Sequence, residues 1–153
     1  MSQSIINNRK ALRDYSVIES FECGIELKGS EVKSIRDGNI NINDSFARIE
    51  GSEVFLYNTH ISPYEQASYL NVEPVRKRRL LLRKSQIRKL SAGLAQKGLT
   101  LVPLKVYFNN RGFAKIELVL CRGKKLYDRR EDIKKRETNL AIRRVMKNRR
   151  KNR

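Results

Sequence analysis

From Arg122 to the end, 32 residues carry 15 lysines and arginines against four acids, a net charge of +11. The stretch has no proline, no glycine after Gly123 and one aromatic, Tyr127. So few apolar side chains cannot bury enough surface to offset the entropy of ordering the segment by itself. Its residues are nevertheless good helix formers. Ile142, Val145 and Met146 fall at i, i+3 and i+4, and Ile133 and Leu140 lie one heptad apart, a short apolar stripe on a helix. The pattern predicts a tail, residues 122–153, that is disordered when free and helical on a partner. The competing reading, a basic arm that stays flexible and only adds nonspecific affinity, gives the stripe no purpose.

Residues 1–121 differ in kind: they carry only +7 and are patterned for a core. Val17, Phe21, Cys23, Ile25 and Leu27 fall on nearly one face of a strand, with Glu22, Gly24 and Glu26 on the other. A short helix follows through Val32 and Ile35, which Ser30 can cap and Gly38 can end. Asp44–Ile49 and Val54–His60 read as a hairpin about Glu50-Gly51-Ser52-Glu53. The run Glu73-Pro74-Val75-Arg76-Lys77-Arg78-Arg79 reads as extended and densely basic. Ser85 opens a second helix, with Ile87, Leu90 and Leu94 on one face. Thr100–Phe108 and Phe113–Cys121 form a further hairpin, with Pro103 expected at an edge or bulge. About six strands and two helices, without regular alternation, predict a mostly β chain with some α: a small antiparallel OB-like barrel with attached helices.

A net charge of +18 on 153 residues, with a pI near 10.4, calls for a polyanion. Nucleic acid is the first candidate and an anionic membrane surface the second, over a basic protein that is merely soluble. No run of 18 apolar residues exists, so no membrane span is expected. The N-terminal sequence has no apolar h-region and no small-residue cleavage site, which argues against secretion and for the cytoplasm. Cys23, Cys121 and His60 are too few and too scattered for a structural zinc site, and no metal or cofactor is expected. Nucleotide-binding loops, H-E-x-x-H and G-x-S-x-G are absent. His60 ends a strand with no assignable nucleophile, so no catalytic residue is expected. An RNA-cleaving enzyme would rest on His60 and scattered carboxylates alone.

Several blocks carry a family likeness: Asn8-Arg9-Lys10-Ala11, Phe21-Glu22-Cys23-Gly24, Leu27-Lys28-Gly29-Ser30-Glu31-Val32-Lys33-Ser34-Ile35-Arg36, His60-Ile61-Ser62-Pro63-Tyr64, Arg76-Lys77-Arg78-Arg79-Leu80-Leu81-Leu82, Gly98-Leu99-Thr100-Leu101-Val102-Pro103-Leu104 and Gly123-Lys124-Lys125-Leu126-Tyr127-Asp128-Arg129-Arg130-Glu131. In this order, over residues 8–148, they resemble the SsrA-binding protein (SmpB) family. The resemblance implies a non-catalytic trans-translation adaptor, acting as a monomer. Such an adaptor binds the tRNA-like domain of transfer-messenger RNA and brings it to stalled 70S ribosomes. The tail becomes helical in the empty decoding site and messenger channel. The 16S rRNA of the small subunit and, through alanine-charged RNA, elongation factor Tu are the further partners implied. A constitutive ribosomal or ribosome-assembly protein bound to rRNA is the alternative.

The resemblance assigns RNA contact to Asn8, Arg9, Lys10 and Glu22, and places Lys33, Arg36, His60, Lys115 and Lys124 in or beside matching blocks. For Glu22, the carboxylate can accept from base amino groups or orient a neighbouring cation. Leu81 matches a hydrophobic position read as core or barrel-wall packing. Asp128, Arg129 and Arg130 match a ribosome-contacting motif, with Arg129 standing where lysine is usual, and Tyr127, beside it, stands where relatives often carry histidine, either ring being able to stack on an exposed 16S base. Val145, Met146 and Lys147 belong to the tail segment that would dock as a helix. Cys23 stands where alanine is usual and reads as a small buried hydrophobe.

Overall fold

The computed structural model describes residues 5–64, 72–96, 98–124 and 126–151. They divide into two compact units, one through Gly123 and one from Lys124. The first contains β1 (Ile6–Asn7), α1 (Arg9–Asp14), β2 (Tyr15–Ile25), α2 (Gly29–Arg36), β3 (Ile40–Asn41), β4 (Phe46–Glu50), β5 (Glu53–Tyr57), β6 (His60–Ile61), β7 (Arg78–Leu81), α3 (Lys84–Leu94), β8 (Leu99–Phe108) and β9 (Ala114–Gly123). The second is the single helix α4 (Leu126–Lys151).

Six strands close a ring in the order β8-β4-β5-β7-β2-β9 and back to β8, every pairing antiparallel. Closure removes the exposed edges that an open sheet must otherwise protect. β4 meets β8 only at Ala47 and Leu101, and β1 pairs farther along β8, with Ile6 opposite Val106. β3 and β6 form a separate two-stranded ladder. Pro103, which has no N–H for the ladder, sits where the β8–β9 register slips, as the sequence predicts.

Strand alternation fills the barrel. Phe21, Cys23 and Ile25 of β2 face inward with Ile116, Leu118 and Leu120 of β9. From the helices, Ile35 and Leu90 join the same core, both essentially inaccessible to water. A methyl group added at Gly93 would lie 2.5 Å from Leu120 Cδ2, so any larger residue there would force the Leu120 side chain to move where α3 meets β9. A second small cluster lies on the opposite face of β8 and β9: Ala11 of α1 covers Val102, Leu104, Val119 and Cys121.

Two expectations need correction. The described residues through Gly123 hold nine strands and three helices rather than about six and two, the additions being the short β1, β3, β6 and α1. Val17 is exposed, not in the core, because the β2–β9 register shifts between Val17 and Glu19 and reverses which side faces inward before that point. The Asn8 side chain is turned into the fold. It is only 1% exposed, and its Nδ2 donates to the carbonyls of Ile42 (2.9 Å) and Pro103 (2.8 Å). Its Oδ1 accepts the Ala11 N–H at 3.0 Å and caps α1. Both amide hydrogens are spent holding the chain together. Asn8→Ala therefore destabilises the fold by about 2 kcal/mol, combining a lost cap with the loss of a donor from the Pro103 carbonyl and from that of Ile42, which keeps only the Ser45 N–H. Urea unfolding measures it, and an unchanged midpoint would return Asn8 to the surface.

Candidate nucleic-acid interface

Because β2, β8 and β9 send alternate residues inward, the intervening ones make an outer face of mixed charge. Register sets Glu22 opposite Glu117, Lys115 opposite both Gly24 and Tyr107, and Lys105 opposite Glu117. Two carboxylates directly across a ladder repel each other. Lys105 Nζ, 3.9 Å from Glu117, relieves one of them. The Tyr107 hydroxyl donates to Glu22 Oε2 and fixes the other. Burial, reinforced by that bond to an anion, pushes the Tyr107 phenol well above its ordinary value, so it remains a donor. Behind this face, burial pushes the Cys23 thiol up to about 12, which suits an inert core residue.

Glu22, Gly24 and Lys115 line a depression of about 830 Å³ together with Arg79, Leu81, Arg83 and Lys84. Its neighbour, about 250 Å³ and more apolar, shares Gly24, Leu81 and Lys115 and is closed by Val32, Gly112 and Phe113. Lys33 and Arg36 stand on the exposed face of α2, since Ile35 takes the inward one. Arg36 lies 5.2 Å over the Phe108 ring, its Nη2 reaching the Gly112 carbonyl at 3.5 Å. Lys33 Nζ is 5.5 Å from the Tyr64 ring centre. The structure thus gathers Glu22 and Lys115 and brings α2 to the same rim. Arg9 and Lys10 are exposed on α1, with Lys10 paired to Asp44. His60 is exposed on β6, its backbone opposite Asn41. Leu81 corrects the wall-packing expectation: it is 46% exposed, and Leu80 is the residue in the core.

The basic run at 76–79 hides what the sequence reading missed. Arg78 is only 1% exposed and Glu31 only 3%. Arg78 Nε meets Glu31 Oε2 at 2.6 Å, while Nη1 donates to the Thr59 and Arg76 carbonyls and Nη2 to that of Pro74. Arg76 pairs with Glu31 Oε1, which also accepts the Lys28 N–H. Alternation carried the signal: Arg78 has the parity of core Leu80, whereas Arg79 has that of exposed Leu81. Phe113, Arg79, Arg83 and Lys84 were likewise not singled out.

In the second unit, Lys124 pairs with Asp132. Arg130 and Lys147 are exposed, as are Ile133, Leu140, Ile142, Val145 and Met146, Val145 at 54% and Met146 at 61%. The side chains of Tyr127, Asp128 and Arg129 lie outside the described residues. Among the described residues no group of three or more His, Cys, Asp or Glu could hold a metal ion, and no helix is long and apolar enough to cross a membrane.

A family model described as SmpB protein matches residues 5–148. An SsrA-binding protein of Caldicellulosiruptor saccharolyticus is 57% identical over 143 residues, which is 94% of this chain and 90% of its own length. Another, of Thermus thermophilus, is 52% identical over 138 residues, covering 90% of this chain and 96% of its own. A chain of the solved structure described as "tmRNA-SmpB: a journey to the center of the bacterial ribosome" matches with a TM-score of 0.68 and 55% identity, over 80% of this chain and 85% of that one. The motif blocks, the closed barrel and these matches extending over almost the whole sequence lead to one assignment: the chain belongs to the SmpB family.

Proposed function

We propose that this chain is an RNA-binding adaptor of trans-translation. It binds the tRNA-like domain of transfer-messenger RNA and delivers that RNA to stalled 70S ribosomes, where the nascent peptide is tagged and the ribosome rescued. The observation that carries this reading is the depression around Glu22 and Lys115. There a fixed carboxylate and several cations share one open face, the mixture needed for base edges and phosphates together. The relatives' description as SsrA-binding proteins, and the tmRNA–ribosome setting of the matched structure, support the same partner.

In this reading Arg9, Lys10, Lys33, Arg36, His60, Lys115 and Lys124 meet the RNA, with Glu22 accepting from a base edge. Asn8 serves by anchoring α1 beneath Arg9 and Lys10. Tyr127, Asp128, Arg129, Arg130, Val145, Met146 and Lys147 belong to a tail that enters the vacant decoding site and messenger channel and meets 16S rRNA. Elongation factor Tu joins through the alanine-charged RNA. The protein acts as a cytoplasmic monomer and catalyses no step, the one histidine having no nucleophile assigned to it.

Competition binding in physiological salt tests the proposal. The protein prefers transfer-messenger RNA to bulk tRNA, and each neutralised phosphate adds roughly 0.7–0.9 to the log–log salt slope. Equal affinity for the two RNAs overturns the assignment.

A further inference from the structure

Two apolar side chains flank the part of the outer face that carries Lys115. Phe113, just before β9, is 63% exposed, and Leu81, at the end of β7, is 46% exposed. Gly24 lies between the strands that bear them, opposite Leu81 on one side and Lys115 on the other. A methyl group there would come within 3.3 Å of Leu81, so bare backbone floors the depression. Phe113 is not loosely held. Its N–H donates to Asn109 Oδ1 at 2.9 Å, and its carbonyl accepts the Asn109 N–H at 2.9 Å. A closed turn therefore fixes the backbone from which the ring projects into water. Scattered exposed hydrophobics need no explanation. Here an exposed ring on a fixed turn, an exposed leucine, a glycine floor, a cation and an oriented carboxylate converge on about 250 Å³ of apolar space and its polar extension.

We propose that this depression seats one unstacked base of the bound RNA between Phe113 and Leu81, with Lys115 on the adjoining phosphate and Glu22 selecting guanine. The inference rests on the RNA-binding reading above and names the base it reads. A planar ring suits the apolar space, because bases lifted out of a helix regain stacking on aromatic side chains. An ionised carboxylate only accepts hydrogen bonds. Guanine alone presents two adjacent donors, N1–H and the N2 amino group, on its pairing edge. Adenine and cytosine offer one amino group beside a ring-nitrogen acceptor, and uracil offers one N–H between two carbonyls that repel the carboxylate. The Tyr107 hydroxyl occupies one lone pair of Glu22 and leaves the rest available.

Uridine heptamers bearing one central guanosine, inosine, adenosine or cytidine, and the all-uridine strand, test the seat on the full-length protein in physiological salt. The basic tail contributes equally to all five. Guanosine binds roughly tenfold more tightly than uridine. Inosine, which keeps N1–H and lacks the amino group, falls between them. Glu22→Gln removes the order among the bases. Phe113→Leu weakens every heptamer by roughly fivefold or more and keeps the order. Both side chains are exposed, so urea midpoints stay unchanged. Equal affinity for the five strands, or an order that survives Glu22→Gln, overturns the proposal. Binding of transfer-messenger RNA against bulk tRNA is measured on the same sample. If that preference stands while the heptamers tie, the seat alone fails; if it is lost as well, the adaptor reading fails with it.

Discussion

Arg78→Met removes about 3–5 kcal/mol of folding stability, the largest loss expected of any single substitution in the barrel. The cost does not come from a strong ion pair, because desolvation consumes much of what two buried charges gain from each other. It comes from what is left behind. Glu31, 3% exposed, keeps its charge with Arg76 as its remaining cation among the described residues, the Thr59 carbonyl loses its guanidinium donor, and the Pro74 carbonyl keeps only the Ile61 N–H. These groups belong to α2, the β5–β6 connection and the segment entering β7, so the loss loosens three elements at once. Urea denaturation measures it. A double substitution of Glu31 and Arg78 by apolar residues of similar volume recovers part of the loss, since no charge is then stranded. A midpoint unchanged in Arg78→Met would mean that the cluster is not buried in solution.

The same cluster sets an acid limit. Burial raises the Glu31 carboxyl, but the Arg76 hydrogen bond, the Lys28 N–H and Arg78 outweigh it, and the net shift is below the ordinary 4.5. A carboxyl lowered in the folded state contributes stability that is whole above its unfolded value and is lost as pH falls through the folded one. Glu31→Gln therefore gives a flatter stability profile below about pH 4.5 than the parent chain, as well as a lower plateau at neutral pH.

What the sequence disclosed depended on whether local pattern or distant contact decided the structure. The hairpin of β8 and β9, the hairpin of β4 and β5, and the helices carrying Ile35 and Leu90 all followed from alternation, turn residues and helical spacing. By contrast, α1 has six residues and buries only Ala11, so periodicity cannot reveal it. Its start is capped by Asn8, whose Nδ2 is held by carbonyls 34 and 95 residues away. Arg78 was hidden for a related reason. A basic run reads as a solvated surface until the carboxylate that neutralises its buried member is known, and Glu31 is 47 residues distant. Glu22 and Lys115 came from family likeness, but Phe113 did not. Nothing local marks a hairpin phenylalanine as exposed, because exposure depends on what fails to cover it.

A chain ending at Gly123 keeps its RNA and loses its ribosome. Both apolar clusters of the first unit consist entirely of residues before Arg122, so the shortened chain retains its whole core. Its affinity for transfer-messenger RNA falls by no more than about tenfold in physiological salt, from lost counterion release. Tagging on stalled ribosomes falls below detection. Truncation alone does not distinguish a helix that docks from an arm that is merely cationic, because it removes both. Val145→Ser with Met146→Ser does, since it leaves every charge of α4 in place. Those two side chains, like Ile133, Leu140 and Ile142, are exposed on α4. A helix with its apolar residues unburied draws little stability from packing and becomes secure only against a surface that covers them. The double variant should therefore bind transfer-messenger RNA like the parent and tag stalled ribosomes roughly tenfold less well, the loss expected when apolar anchors leave an interface. Tagging at the parent rate would make α4 a purely electrostatic arm. RNA affinity falling in step with tagging would erase the division of labour between barrel and tail.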